Sequence, residues 1–301
     1  MDGILNVNKS SGPTSHDVVA MVRKVAGVKR VGHAGTLDPI ASGVLLVCLG
    51  RATRIAECLT DWRKSYRATA LFGAETDTED VTGEVTRETD CSHLTRRDIE
   101  NVLPQFTGEI FQTPPMVSAV HHEGRRLYEL ARAGQVVERQ PRPVAVYSFN
   151  LLDFTPGNRP TAVFDIECSK GTYIRTLCAD IGKTLDCGAY MSALVRTAVG
   201  RFKVEDAVSI ETIEQSATQL EESLIPIDKA LSDMPEVNVT EEGAVRIANG
   251  VMLPVEALSK AELPQVGIPV RIKSPGGLIA IGRLCLAHGR VMLKPDKVFA
   301  Q

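Results

Sequence analysis

At 301 residues, with 44% hydrophobic and 24% charged side chains, the chain has the composition of a soluble globular protein. It is long enough for one large domain and a smaller one. Its longest apolar run, residues 43–49, is far too short for a membrane-spanning helix, and MDGILNVNKSSG lacks a signal peptide's basic lead and apolar core, so it reads as mature sequence. The formal net charge is −3, yet ten Lys/Arg face five Asp/Glu in residues 1–70 and six face one in residues 271–301. Basic ends around an acidic middle are compatible with a polyanionic partner, which senses charge within about 8 Å rather than the global sum.

In chain order, ILNVN reads as a strand, SSGP as a turn, and the segment after it as a helix. Thr14 or Ser15 caps that helix, and Val18, Val19, Val22 and Val25 form its stripe. VGHAGTLDPIASG is a loop, and VLLVCLG a buried strand stopped by glycine. SYRATALFGA alternates as a strand, ETDTEDVTGEV is an acidic turn, and LTRRDIENVLPQFTGEI is a helix capped by Ser92 or Thr95 and ended by Pro104.

The character changes over residues 112–143, which are bounded by prolines and hold five arginines, two adjacent histidines and one short amphipathic helix with Leu127, Leu130 and Ala131. This is an excursion from the sheet rather than core. VAVYSFNLLDF and TAVFDIEC resume the strands, and a KGTY turn leads into a helix. After Val208 comes an acidic helical stretch, then a segment punctuated by Pro226 and Pro235. The remainder is a small β-rich unit, with a hairpin at Pro275–Gly277 and a turn at His288–Arg290. The domain division predicted is 1–234 and 235–301.

The familiar chemical motifs are missing. No GxSxG nucleophile elbow, GxxxxGK[ST] phosphate loop or GxGxxG turn is present. Seven scattered cysteines without a CxxC pair point to free thiols in a reducing cytoplasm, and against a zinc site or a disulfide framework. His121 and His122 are adjacent, so they point apart and read as surface residues.

Carboxylates and cations remain. An Asp before Pro, as at Asp38, is ordinarily a turn residue. Here Gly32 and Gly35 bracket His33, leaving room for close approach, and an apolar strand follows, which puts the carboxylate at the edge of a core. A partly desolvated carboxylate needs a cation or hydrogen-bond donors, or it protonates. GTYIRTL supplies a candidate partner in Arg175, at the start of an otherwise apolar helix.

GHAGTLDPIASGVLLVCLGRATR resembles the catalytic motif of the TruB family of tRNA pseudouridine synthases. The resemblance continues in NKSSGPTSHDVV, KSYRATALFGAETDTEDVTGEV, PPMVSAVHHEGRRLYELAR, KGTYIRTLCADIG and GAYMSALVRTAVG, in order along the chain. It implies an α+β fold, a mixed and largely antiparallel sheet flanked by helices, with a small β-rich PUA-like domain for RNA. It implies that the T-loop uridine of tRNA (position 55) becomes pseudouridine after the base is flipped into a pocket, with no cofactor and no metal.

By the same resemblance Asp38, Tyr66 and Arg175 are the catalytic set. Tyr66 stacks on the base, His33 fills the space that the base leaves, and Tyr173 and Leu194 line the uracil pocket. Lys9, Lys64, Asp80, Arg125, Arg126, Arg132 and Arg142 are expected to meet RNA, Asp80 at a neighbouring flipped base, and Arg139 joins the other arginines of the thumb, residues 112–143. Val117 stands where the family often has Tyr, and His121 where it often has Lys. The expected partner is tRNA alone, through its T-arm and acceptor arm, for a cytoplasmic monomer with no membrane or protein partner. A tRNA-binding or folding protein with modification secondary is the alternative, and a glycoside or nucleoside hydrolase is a third, for which no second carboxylate stands out.

Overall fold

In the computed structural model, residues 1–118, 120–258, 263–287 and 289–299 are described. The centre is a ten-stranded sheet of β1 (Gly3–Lys9), β2 (Val31–His33), β3 (Ser42–Leu49), β4 (Lys64–Phe72), β5 (Gly108–Gln112), β6 (Arg142–Thr155), β7 (Thr161–Cys168), β8 (Ala189–Val199), β9 (Phe202–Lys203) and β10 (Val208–Ser209). The main order is β10-β1-β3-β8-β4-β7-β6-β5, with β2 beside β3 and β9 beside β8. Pairing is antiparallel except between β1 and β10 and between β3 and β8. The expected mixed, largely antiparallel α+β architecture is therefore what the chain adopts.

The β3–β8 pairing explains one motif glycine. Gly43 lies opposite Arg196 at φ +102°, and a Cβ there would stand 2.2 Å from the Arg196 carbonyl oxygen. Only glycine lets these two backbones close up and place the preceding loop beside β8.

Helix α1 (Ser15–Ala26) is capped by Thr14, whose side chain accepts from the Asp17 N–H while Asp17 reaches back to the Thr14 N–H. Val18, Val19 and Val22 are buried against β1 and β3. Helix α2 (Arg96–Val102) uses the same device with Thr95 and Asp98. The helix, expected to end at Pro104, stops at Val102 and passes into a 3₁₀ turn, Leu103–Phe106, and Gly108 opens strand β5. Helix α3 (Ile174–Thr184) packs on β8 with Ile174, Leu177 and Ile181 buried. The acidic stretch after Val208 divides into two short helices, Ile210–Gln215 and Ala217–Glu222, capped by Ser209 and Ser216.

A second sheet contains β11 (Glu236–Asn238), β12 (Leu253–Pro254), β13 (Pro269–Ser274), β14 (Gly277–Ala287) and β15 (Arg290–Val298), in the order β11-β13-β14-β15-β12, and is PUA-like. Its hairpin closes at Pro275–Gly276, where Ser274 pairs with Gly277. The other expected turn includes His288, which lies outside the described residues. Among the described residues no helix is long and apolar enough to cross a membrane.

Candidate active site

The loop between β2 and β3 carries Asp38 and is tied at almost every residue around it. Ser15, the alternative cap, is buried and faces inward, exchanging hydrogen bonds with Leu37: its hydroxyl meets both the Leu37 carbonyl at 3.0 Å and the Leu37 N–H at 2.9 Å. The Pro39 carbonyl accepts from the Gly12 N–H at 2.9 Å and from Lys9 Nζ at 3.3 Å. Gly35 adopts φ +95°. The Gly35 and Thr36 carbonyls each accept from the Arg196 guanidinium at 3.2 Å.

Asp38 meets Arg175 as expected: Arg175 Nε stands 3.0 Å from Asp38 Oδ2. The arginine side chain is 5% exposed, whereas that of Asp38 is 38% exposed and open to the cleft. Arg175 Nη1 lies 3.6 Å from Asp80 Oδ2 and donates to the Thr78 carbonyl at 3.1 Å. Its Nη2 donates to the Val117 carbonyl at 2.9 Å. One guanidinium thus joins the Asp38 loop, the acidic turn and the root of the 112–143 excursion.

Asp38, Tyr66, Tyr173, Arg175 and Leu194 line one cavity of about 400 Å³, together with Lys64, Arg196 and the Ser169–Thr172 turn. Tyr66 is buried on β4, and burial raises its phenol pKa above the ordinary value, so the hydroxyl keeps its proton at neutral pH. Tyr173 is half-buried at the start of α3, and its pKa moves up for the same reason. Leu194 presents an apolar wall from β8. His33 packs edge-on against His16, with ring centroids 5.3 Å apart. Burial, then the neighbouring His16 and Arg196, lower its pKa, so His33 is neutral at neutral pH.

Three residues expected to meet RNA turn their charge toward internal partners. Lys9 is fully buried, its ammonium donating to the carbonyls of Ser10, Pro13 and Pro39. Lys64 is 5% exposed and donates to the carbonyls of Thr60 and Trp62. Burial lowers both pKa values to about 8. Asp80 is 5% exposed, and its Oδ1 accepts from Thr78 Oγ1 and from the N–H and hydroxyl of Thr82, while Oδ2 faces Arg175. In this arrangement all three charges serve the site's framework.

Arg196 was missed. It is 1% exposed and donates to Val44, Thr36 and Gly35 carbonyls from the strand position opposite Tyr66. An arginine inside SALVRTAV carried the same signal that singled out Arg175, a cation in an apolar element.

In the excursion a two-residue hairpin, His121–His122 with Arg125–Arg126, leads into the helix Leu127–Arg132. Arg125 and Arg142 are exposed. Arg126 lies over the Tyr128 ring, and Arg139 donates to the Pro114 carbonyl at 3.1 Å. The side chains of Arg132 and His122 lie outside the described residues. Among the described residues no group of three His, Cys, Asp or Glu side chains is placed to hold a metal ion.

A family model described as TruB family pseudouridylate synthase (N terminal domain) matches residues 23–174, and one described as tRNA pseudouridylate synthase B C-terminal domain matches residues 175–232. The protein named tRNA pseudouridine synthase B of Symbiobacterium thermophilum is 52% identical over 251 residues, 83% of each chain. Its namesake in Pelotomaculum thermopropionicum is 46% identical over 312 residues, spanning 100% of this chain and 98% of the other. Among solved structures, a chain from an H/ACA RNP bound to a substrate RNA containing 2′-deoxyuridine superposes with a TM-score of 0.76 at 27% identity, covering 99% of this chain and 85% of that one.

Proposed function

The chain belongs to the TruB family of pseudouridylate synthases, and from that premise we propose that it isomerises the T-loop uridine of tRNA at position 55, with Asp38 as the catalytic carboxylate. The observation that carries the reading is the Asp38–Arg175 pair at the wall of a cavity lined by Tyr66, Tyr173 and Leu194. Isomerisation breaks the N1–C1′ bond, turns the base, and forms a C5–C1′ bond. The C5 proton leaves and N1 gains one, so the product has the atoms of the substrate.

Each residue has a task in that sequence. A uridine stacked within an RNA loop is turned outward to reach the cavity. Tyr66 supplies a planar face for it, and Leu194 and Tyr173 confine it. Neutral His33 occupies the space left in the RNA stack, where aromatic–base contact is worth roughly 1–3 kcal/mol. The Asp38 carboxylate is aimed by Arg175, which suits it to act on the base, the sugar carbon or a sugar proton. Four hydrogen-bonded points in its own loop keep it there, and such fixed geometry is where much of a rate enhancement originates.

Affinity comes from outside the cavity. Exposed Arg125 and Arg142 on the thumb are suited to phosphates, a contact that positions RNA without reading its sequence. Residues 235–301 form the second RNA-binding domain in this reading, with exposed Arg290 and Lys294 toward the acceptor arm. Thumb and second domain belong to the same chain, which supports action as a monomer without a protein partner. Mapping pseudouridine in tRNA incubated with the pure protein tests the proposal. Modification confined to position 55 supports it, and product at another uridine or none at all refutes it.

A further inference from the structure

Gln112 ends strand β5 and begins the thumb. It is 3% exposed, and its side-chain amide engages the backbone of one residue twice. The Tyr173 N–H donates to Gln112 Oε1 at 2.7 Å, and Gln112 Nε2 donates to the Tyr173 carbonyl at 2.9 Å. This doublet sets which end of the amide faces which group, since each contact has only one permissible donor. The amide does for Tyr173 what a neighbouring strand does for a sheet residue. Tyr173 opens helix α3 without a side-chain cap of its own, and its carbonyl also accepts from the Leu177 N–H at 3.1 Å.

The same limb of the thumb is attached a second time five residues on, where the Val117 carbonyl accepts from Arg175. The other limb reaches Gln112 as well, since Arg142 is its partner in the β5–β6 ladder. The root of the thumb therefore grips the pocket tyrosine at residue 112 and the arginine that holds Asp38 at residue 117.

We propose that Gln112 is a positioning residue: its side-chain amide fixes Tyr173 against the bound uracil and the start of α3 with Arg175, making the seating of the thumb root a condition for catalysis. The inference rests on the proposed reaction at this site. Removing the amide takes the partner of the Tyr173 N–H and one of the two donors to its carbonyl, which keeps the Leu177 N–H, and frees the ring to drift. Misplacement of a pocket wall costs turnover, whereas the phosphate contacts that set affinity lie elsewhere on the thumb.

The test compares single-turnover pseudouridine formation and tRNA affinity in the full-length wild type, Gln112→Ala and Gln112→Glu over a range of pH. An ionised carboxylate accepts from the Tyr173 N–H but has no proton for the Tyr173 carbonyl; a protonated carboxyl offers both. Gln112→Glu is therefore expected to lose about tenfold or more relative to wild type at pH near 8 and to recover as pH falls toward about 5.5, while Gln112→Ala keeps a constant deficit. Both should bind tRNA within about threefold of wild type.

A Glu/wild-type ratio that stays flat with pH overturns the proposal. So does a loss that appears in affinity rather than in rate. If Gln112→Ala fails to fold, the Glu/wild-type ratio decides alone; a Glu variant that is unfolded even at acid pH also contradicts the proposal, because its carboxyl then reproduces the amide's contacts. A wild type that makes no pseudouridine at position 55 refutes the proposed reaction and leaves the Gln112 contacts as they are.

Discussion

Arg175 stands with Nε 3.0 Å from Asp38 Oδ2, the arginine sunk to 5% exposure and the aspartate open at 38%. The asymmetry divides the labour. A buried guanidinium needs compensation on several sides, and it receives Asp38, Asp80 and two backbone carbonyls. The exposed carboxylate is the one free to meet a substrate, and it borrows its orientation from a group that does not move.

Arg175→Ala should be inactive and destabilised. It strands Asp80, 7% exposed, beside unpaired carbonyls, and losing one partner of a buried pair typically costs about 3–5 kcal/mol, with only a small share from the more exposed Asp38. Urea denaturation alongside an activity assay measures both. Arg175→Lys keeps a charge but not the fork that reaches three elements, so it should regain part of the stability and little of the activity. A stable, active alanine variant contradicts the pairing.

Asp80→Asn separates a framework role from an RNA contact. The amide keeps an acceptor for Thr78 and Thr82 but removes the charge facing Arg175. Turnover should fall by about tenfold or more with tRNA affinity within about threefold of wild type. The reverse pattern, weakened binding with normal turnover, would restore Asp80 to the RNA interface.

Lys64 gives a pH signature of burial. Its folded pKa is lowered from 10.5 to about 8, so between those values the unfolded chain holds more protons than the folded one. Stability due to this residue therefore rises from pH 8 toward 10.5. Taking the difference between wild type and Lys64→Met removes the opposing contribution of buried thiols such as Cys178, whose pKa is pushed up to about 12. Wild type should gain on the variant across that window, and a wild type that loses ground would mean an ammonium stabilised by the fold.

Much of this site is legible from residues, and the exceptions share a cause. A carboxylate at the edge of an apolar strand demanded a cation, which led to Arg175 without any knowledge of the fold. Lys9, Lys64 and Asp80 were assigned to RNA by resemblance, and their burial could not be read beforehand because it depends on neighbours far apart in sequence. Lys9 is buried only because residues 10, 13 and 39 converge on it. Gln112 escaped for a related reason: it works through backbone groups, which leave no trace in side-chain identity, whereas Arg196 could have been found as a cation in an apolar strand. The β5 strand was not foreseen because Gly108–Gln112 is short and pairs with β6, itself beyond the thumb.

Arg125 on the thumb tests the electrostatic part of the account. An exposed arginine bound to one phosphate should, when replaced by alanine, reduce the slope of log affinity against log salt by about 0.7–0.9. Affinity should fall alike for tRNAs of different sequence, and an unchanged slope would place the residue off the RNA.

The central claim is that Asp38 carries the chemistry, and tritium release from tRNA labelled at C5 of uridine measures it most directly. Asp38→Asn preserves the size of the side chain and removes the anion that Arg175 holds. It should bind tRNA within about threefold of wild type and release no tritium above background, even in single-turnover conditions with excess protein. Substantial release by this variant would mean that another group performs the reaction.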